Sequence, residues 1–141
     1  MKRLERLAVL LATTLLLCNC LEDGHKRIDF INKSGHRIWC QIREDKVSEI
    51  TKKPLFHCTN TFTRPLDNDS SLVIEPPTFH LCWEEELGSH DYIELLVLDG
   101  EQFEKYFHSP CDVIRQNVPI LYTYRLTLSD LEEMNWTVIF R

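Results

Sequence analysis

Glycine is scarce in this chain, and the short motifs that depend on it are missing. Only four glycines occur in 141 residues, and none belongs to a phosphate-binding loop or a nucleophile-elbow pentapeptide. The HExxH pattern of zinc peptidases is missing as well. Because no signature of catalysis is present, we expect a protein that is not an enzyme and uses no cofactor or metal.

The sequence also lacks an apolar run long enough to cross a bilayer. The longest run, Leu7 to Leu17, has eleven residues, whereas a membrane-spanning helix needs about 20. Basic residues precede it at Lys2, Arg3 and Arg6, and a short polar stretch with two cysteines follows it. This order of segments is typical of a secretory signal.

A cysteine at the end of the signal predicts a lipid anchor. Leu17 stands three residues before Cys20 and the small residue Cys18 stands two before it, as at bacterial lipoprotein sites, although Asn19 departs from the usual pattern. Lipidation of Cys18 instead would place Leu16 and Leu17 at positions that favour small residues. We therefore predict a signal peptide over residues 1–19, lipidation of Cys20, a tether over 20–26 and one β-rich domain over 27–141.

Basic charge is in deficit after the signal. From Leu21 onward the chain has 13 lysine and arginine residues against 21 aspartate and glutamate residues, a net charge of −8. Nonspecific binding to nucleic acid or to an anionic bilayer needs a basic surface. We expect no nucleic-acid partner, and membrane attachment only through the lipid.

The CxxC pairs of zinc knuckles and thioredoxin-type redox sites are missing too. The domain contains four cysteines, Cys40, Cys58, Cys82 and Cys111. In an exported protein this even number is typical of two disulfides, for which three pairings are open. The alternative is that some of the four are small buried apolar residues.

Alternating apolar and polar residues predict about seven strands and few helices. Eight ranges are candidates, of which 55–62 and 79–84 are the weaker: 28–32, 37–42, 55–62, 71–74, 79–84, 92–98, 121–128 and 136–140. The first two form a hairpin across the turn at 32–35, and 92–98, the most apolar run of the domain, is predicted to be a central strand buried on both faces. Short helices are predicted over 101–107 and 110–116, the latter capped by Ser109. The predicted fold class is mainly β, a small single-domain antiparallel β-sandwich with short helical insertions; the alternative is an α+β sheet.

The C-terminal region predicts one further helical turn against the sheet. Ser129 and Glu132 form a capping-box pattern. Leu128, Leu131 and Met134 follow at helical spacing and should face the core. Trp136 should then fill the adjacent core rather than bind a ligand.

This ending also resembles that of a known family. Tyr124 to Val138, with the letters YRLTLSDLEEMNWTV, is similar to the ending of a family of short uncharacterised predicted lipoproteins of Bacteroides-type bacteria. Ile31–Ser34 followed by Ile38–Trp39 fits the start of their domain, and Leu96–Asp99 and Phe103–Tyr106 fit the part between. The resemblance implies a lipid-anchored envelope protein and brings no activity and no functional residues.

Three groups of polar residues contain side chains that could bind a metal ion or catalyse a reaction. The acidic cluster Glu84–Glu86, with Asp91 and Glu94, lacks the glycine and the spaced aspartates of a calcium loop, and Asp67 and Asp69 begin such a loop without completing it. We interpret the acidic cluster as a solvated loop and residues 67–70 as a turn. The third group is the cysteines and histidines that a thiol nucleophile would need, namely Cys58 with His57, Cys82 with His80, and His90 and His108 elsewhere.

These observations predict a noncatalytic lipid-anchored protein of the cell envelope, at the outer membrane on its periplasmic or surface face. Its role would be that of a small binding or structural module for an envelope protein or glycan. An inhibitor or immunity-type protein, whose acidic surface binds a basic partner protein, is the alternative. An envelope hydrolase using Cys58 and His57 is the third hypothesis.

Overall fold

The computed structural model describes residues 24–43, 56, 58, 65–78, 80–89 and 91–141. Seven strands and four helices lie in these ranges. In chain order they are β1 (Ile28–Asn32), β2 (Ile38–Ile42), β3 (Pro65–Leu66), β4 (Ser71–Ile74), α1 (Trp83–Ser89), β5 (Ile93–Asp99), α2 (Gly100–Tyr106), α3 (Cys111–Asn117), β6 (Ile120–Leu126), α4 (Leu128–Glu133) and β7 (Thr137–Phe140). The predicted signal peptide, Cys20 and most of the predicted strand over 55–62 lie outside the described residues.

The strands form two sheets, which confirms the predicted mainly-β domain with short helical insertions. One sheet has the order β4-β1-β7 and the other the order β3-β2-β5-β6. All pairs are antiparallel except β1 with β7, which run parallel because α4 and the turn after it return the chain to the starting end of β1. The prediction of an antiparallel sandwich did not include this parallel pair.

Strand β5 is the centre of the domain, as its apolar sequence predicted. Alternate residues of a strand point to opposite faces. Leu95 and Val97 lie in the core between the sheets with Phe30 of β1, whereas Leu96 and Leu98 lie in a second core on the other face. The strand is therefore buried on both sides, between the three-stranded sheet and a helical layer.

Helices α2 and α3 cover the second face of the larger sheet. Phe103 of α2 stacks on Trp39 of β2 with ring centroids 4.3 Å apart, and Ile114 of α3 is buried in the same cluster. Gly100, the first residue of α2, approaches the backbone of Arg37 so closely that its N–H donates to the Arg37 carbonyl over 3.1 Å. Helix α2 thus packs directly on the larger sheet.

The predicted hairpin of β1 and β2 is wrong, because these strands belong to different sheets. The buried side chain of Asn32 explains the turn between them: its amide donates to the carbonyls of His36 at 2.7 Å and Leu66 at 3.0 Å. Its oxygen accepts from the backbone N–H and the hydroxyl of Ser34. The turn is therefore fixed by a side chain, and the chain crosses from one sheet to the other.

The predicted strand over 79–84 is also wrong, since residues from Trp83 onward form α1. Three glutamates occupy the first turn of this helix, where negative charge is favourable. Trp83 and Leu87 are four residues apart and both buried, so they share the face that packs on the core. The six residues 79–84 alternate between apolar and other residues, and so short a pattern does not distinguish a helix start from a strand.

Two helix starts differ in detail from the predictions. Helix α3 begins after Pro110, which has no capping hydrogen bond from its side chain, rather than after Ser109. Helix α4 has its capping box at Thr127 and Asp130 rather than at Ser129 and Glu132. Leu131 is nonetheless fully buried, and Leu128 and Met134 pack against the same core, as predicted.

Candidate functional site

The junction between the predicted tether and the domain is held by His25. Its ring nitrogen Nδ1 lies 2.6 Å from Oε1 of Glu84 in α1, and its backbone N–H donates to the same carboxylate. The His25 carbonyl accepts from the backbone N–H of Trp83 over 2.8 Å. We call this set of contacts, together with the stacking described next, the His25 latch. It attaches part of the predicted tether to the folded domain.

The other half of the His25 latch is Trp136. The two rings are stacked, with centroids 4.0 Å apart and planes 11° from parallel. Asn135 and Trp136 both have left-handed backbone, with φ of 49° and 57°, which is costly for a bulky side chain. This strained turn ends α4, where the Trp136 N–H donates to the Leu131 carbonyl, and it brings the buried indole beneath His25.

Hydrogen bonds from His25 favour the ionised form of Glu84. Burial opposes ionisation of Glu84, but the hydrogen bonds from the His25 ring and backbone outweigh it, so the pKa of Glu84 lies below its ordinary value. Half of the His25 side chain is exposed. Since exposed ion pairs contribute little by themselves, the latch depends on the combination of stacking and backbone hydrogen bonds.

The His25 latch is not predictable from the sequence. His25 lies in the predicted tether, and Glu84 belongs to the acidic cluster predicted to be a solvated loop. His25 and Glu84 are 59 positions apart in the sequence, and no local sequence pattern predicts a contact between them. Only the core position of Trp136 was predicted, and its burial confirms it.

The four domain cysteines do not pair with one another as two disulfides. Cys58 and Cys111 are bonded, with Cα atoms 5.5 Å apart. Cys40 of β2 is a free, fully buried thiol, which corrects its predicted disulfide, and burial raises its pKa. It lies among apolar core residues because alternate positions of β2 face the other sheet. Cys82 is also disulfide-bonded, and none of the other three is its partner.

The disulfide holds a short segment against the helical layer. Phe56 is buried beside Phe103, with centroids 6.4 Å apart. The Phe56 carbonyl accepts hydrogen bonds from the Arg115 guanidinium, the shorter being 2.9 Å. Cys58 then reaches Cys111 at the start of α3.

The acidic residues are dispersed rather than gathered into one site. Glu94 is buried between two arginines: it pairs with Arg43, and its Oε1 accepts from Nε of Arg125 over 2.7 Å. Asp69 pairs with Lys33 and Asp67 with Arg37, so the predicted turn at 67–70 carries surface ion pairs. Within the described ranges, no group of three or more His, Cys, Asp or Glu side chains is placed to hold a metal ion.

The predicted thiol–histidine pairs are not assembled by the described residues. Cys58 and Cys82 are disulfide-bonded, so neither carries a thiol. His57 and His90 lie outside the described residues. His108 is exposed and contacts Phe107, with ring centroids 5.2 Å apart, and His80 is also exposed.

Two apolar surfaces are exposed on the sheets. Strand β6 is an edge strand whose register is irregular opposite Val97 and Leu98. Its Leu121 and Tyr122 side chains are 44% and 51% exposed. Val73, on the outer face of the smaller sheet, is 37% exposed. The helices are short; among the residues described, none has the length and apolar character of a transmembrane helix.

Comparison of the chain with protein-family models, curated proteins and solved structures gave no match.

Proposed function

We propose that the protein is a noncatalytic, lipid-anchored protein of the cell envelope that acts as a small binding module. The signal-type start, the cysteine at its end and the resemblance to short lipoproteins of Bacteroides-type bacteria support this location. The net charge of −8 after Cys20 argues for attachment through the lipid rather than through a basic surface.

The observation that carries the proposal is the Cys58–Cys111 disulfide. Disulfides form and persist in oxidising compartments and are rare in the cytosol. The bond therefore agrees with export, which the N-terminal sequence predicts independently. It also removes the thiol that the hydrolase hypothesis requires at Cys58.

The partner in this proposal is an envelope protein or a glycan. Strand β6 offers the longest edge among the described strands, with Leu121 and Tyr122 exposed beside it. An exposed edge can take up an additional strand, and exposed aromatic rings are frequent at interfaces. We assign partner binding to this edge.

Capture of partners from native membranes tests the proposal. The bait is the full protein, compared with Leu121→Ser and with the matched control Val73→Ser, an aliphatic strand residue of similar exposure on the other sheet. We expect one defined partner that is lost with Leu121→Ser and kept with Val73→Ser. Recovery of no specific partner, or of the same partner with both variants, would contradict it.

The acidic charge favours a second candidate, an inhibitor or immunity-type protein that covers a basic partner. Binding of that kind depends on ionic strength because charge attraction is screened by salt. Repeating the capture at low and high salt separates the two functions. Steep loss of the partner at high salt would favour the inhibitor, whereas retention would favour binding at the β6 edge.

A further inference from the structure

The His25 latch lies at one particular end of the domain. The starts of β1, β5 and β7 lie at this end, as do the ends of β4 and β6, because Ile28 pairs with Ile74 and Ile93 with Leu126. Helices α1 and α4 contact each other there. We call it the anchor end. The distal end carries the turns at 33–37 and 67–70 and the start of α2.

The covalent distance from the lipidation site to the latch is short. Only Leu21 to Gly24 separate Cys20 from His25, so the two Cα atoms are at most about 17 Å apart even in a fully extended chain. The seven residues of β5 span about 20 Å from the anchor end to the distal end. While the latch is closed, the backbone of Cys20 therefore cannot reach the distal end, and the lipid enters the bilayer on the side of the anchor end.

Exposed charges of both signs lie at the anchor end. Glu85, Glu132 and Glu133 are exposed on α1 and α4, and Lys26 and Arg27 are exposed just before β1. This mixture is not the basic cluster that draws a protein surface to anionic headgroups. The distance to the membrane is therefore set by the spacer and the latch.

We infer that the anchor end is the membrane-facing surface of the protein, held there by the His25 latch, and that the headgroup layer carrying the Cys20 lipid is its neighbour. The distal turns are thereby directed away from the bilayer. This inference rests on the proposed lipid anchor and adds an orientation to it. It also assigns a function to His25, Glu84 and Trp136 beyond packing.

Paramagnetic relaxation of backbone amides tests this orientation. The lipidated protein, isotope-labelled and purified from its own membranes, is placed in nanodiscs whose lipids carry spin-labelled headgroups. Relaxation falls steeply with distance, so we expect the amides of Glu85 and Glu133 to be attenuated several-fold more than those of Gly35 and Asn68. His25→Ala should weaken this contrast, and a flexible insertion of ~10 residues after Leu21 should remove it.

His36→Ala is the matched control, because His36 is an exposed histidine at the distal end. It should leave the contrast intact. Equal attenuation at both ends of a protein that is lipidated by mass would overturn the orientation and leave the proposed function standing. A chain without lipid would overturn both.

Discussion

Single residues fix the places where the two sheets and the helices meet. Asn32 satisfies carbonyls on both sides of the crossing between sheets, and a buried amide with full hydrogen bonding specifies one arrangement of the chain. Gly100 has the opposite role, since the absence of a side chain allows α2 to approach β2. Glu94, near the start of the central strand β5, forms ion pairs with both Arg43 and Arg125.

Replacing Gly100 with alanine should destabilise the domain. A Cβ atom there would lie 2.8 Å from the carbonyl carbon of Arg37 and 2.9 Å from the nitrogen of Ile38. These are backbone atoms, so relief requires α2 to move, and overpacking of this kind costs about 1–3 kcal/mol. Urea unfolding measures the loss.

Gly88→Ala is the control for this prediction. Gly88 lies in α1 and a Cβ there would meet no atom within 4 Å. Alanine is the better helix former by about 1 kcal/mol, so this variant should be as stable as the original or more so. If the two substitutions changed the free energy of unfolding equally, the close contact of Gly100 with the Arg37 backbone would not be the cause of any destabilisation at that position.

The ion pairs of Glu94 should make stability depend on pH. Burial opposes its ionisation, but hydrogen bonds from Arg43 and Arg125 outweigh this and lower its pKa. A carboxyl whose pKa is lowered in the folded state stabilises the protein above its unfolded pKa of about 4.3, and this contribution disappears as the pH falls through the folded pKa.

Glu94→Gln should therefore lower the free energy of unfolding at pH 7 by about 1–3 kcal/mol and flatten its decline in acid. Unfolding curves at pH 7 and below pH 4 measure both effects, with Glu101→Gln as an exposed control on α2. An acid decline that is as steep in Glu94→Gln as in the original protein would refute this assignment.

At the scale of whole elements, the sequence predicted those strands and helices whose own pattern of apolar residues shows which faces are buried. The run Ile93 to Leu98 is apolar on both faces and could only be a central strand, and β6 and α2 were also placed within two residues. Which strands pair with each other was not predictable in the same way. The turn after β1 has the residues typical of a hairpin, yet it leads the chain from one sheet to the other, because the Asn32 side chain fixes a different conformation.

The candidate site was less accessible to sequence reasoning than the fold. His25 has no apolar partner nearby in the chain, and its role arises only after α4 and its left-handed turn bring Trp136 beneath it. The cysteines show the same limit. Their number predicted disulfides, but the position of Cys40 on the inner face of β2 depends on tertiary packing.

The segment at Phe56 and Cys58 should depend on its disulfide for stability. Cys58 and Cys111 are separated by 53 residues, and closing a loop of that length contributes about 2–4 kcal/mol by restricting the unfolded chain. The double variant Cys58→Ser/Cys111→Ser should lose that amount in urea unfolding without reductant. With reductant present, its difference from the original protein should vanish.

Cys40→Ala is the control, because it removes a buried thiol that takes part in no bond. Its cost, about 1 kcal/mol from the small cavity, should be the same with and without reductant. A double variant that keeps its deficit in reductant would show that packing at Cys58 and Cys111, rather than the bond, is responsible.

The molecule as a whole combines an export-type N-terminus, a short spacer and a two-sheet domain whose entry point is latched. Each part is consistent with a domain held close to a membrane: the disulfide with an oxidising compartment, the acidic charge with attachment through lipid, and the His25 latch with a fixed orientation. Lipidation of Cys20 is the claim on which the location and the orientation both depend.

Intact mass spectrometry of the unreduced protein, purified from its own membranes and treated with an alkylating reagent before and after unfolding, tests that claim most directly. We predict a lipidated chain that begins at Cys20, with Cys58 and Cys111 unmodified throughout and Cys40 modified only after unfolding. Cys82 should be modified as well, because a chain that begins at a lipidated Cys20 contains no cysteine with which it could pair. A chain without lipid in which Cys58 reacts in the folded protein would contradict the account and would favour the thiol hydrolase instead.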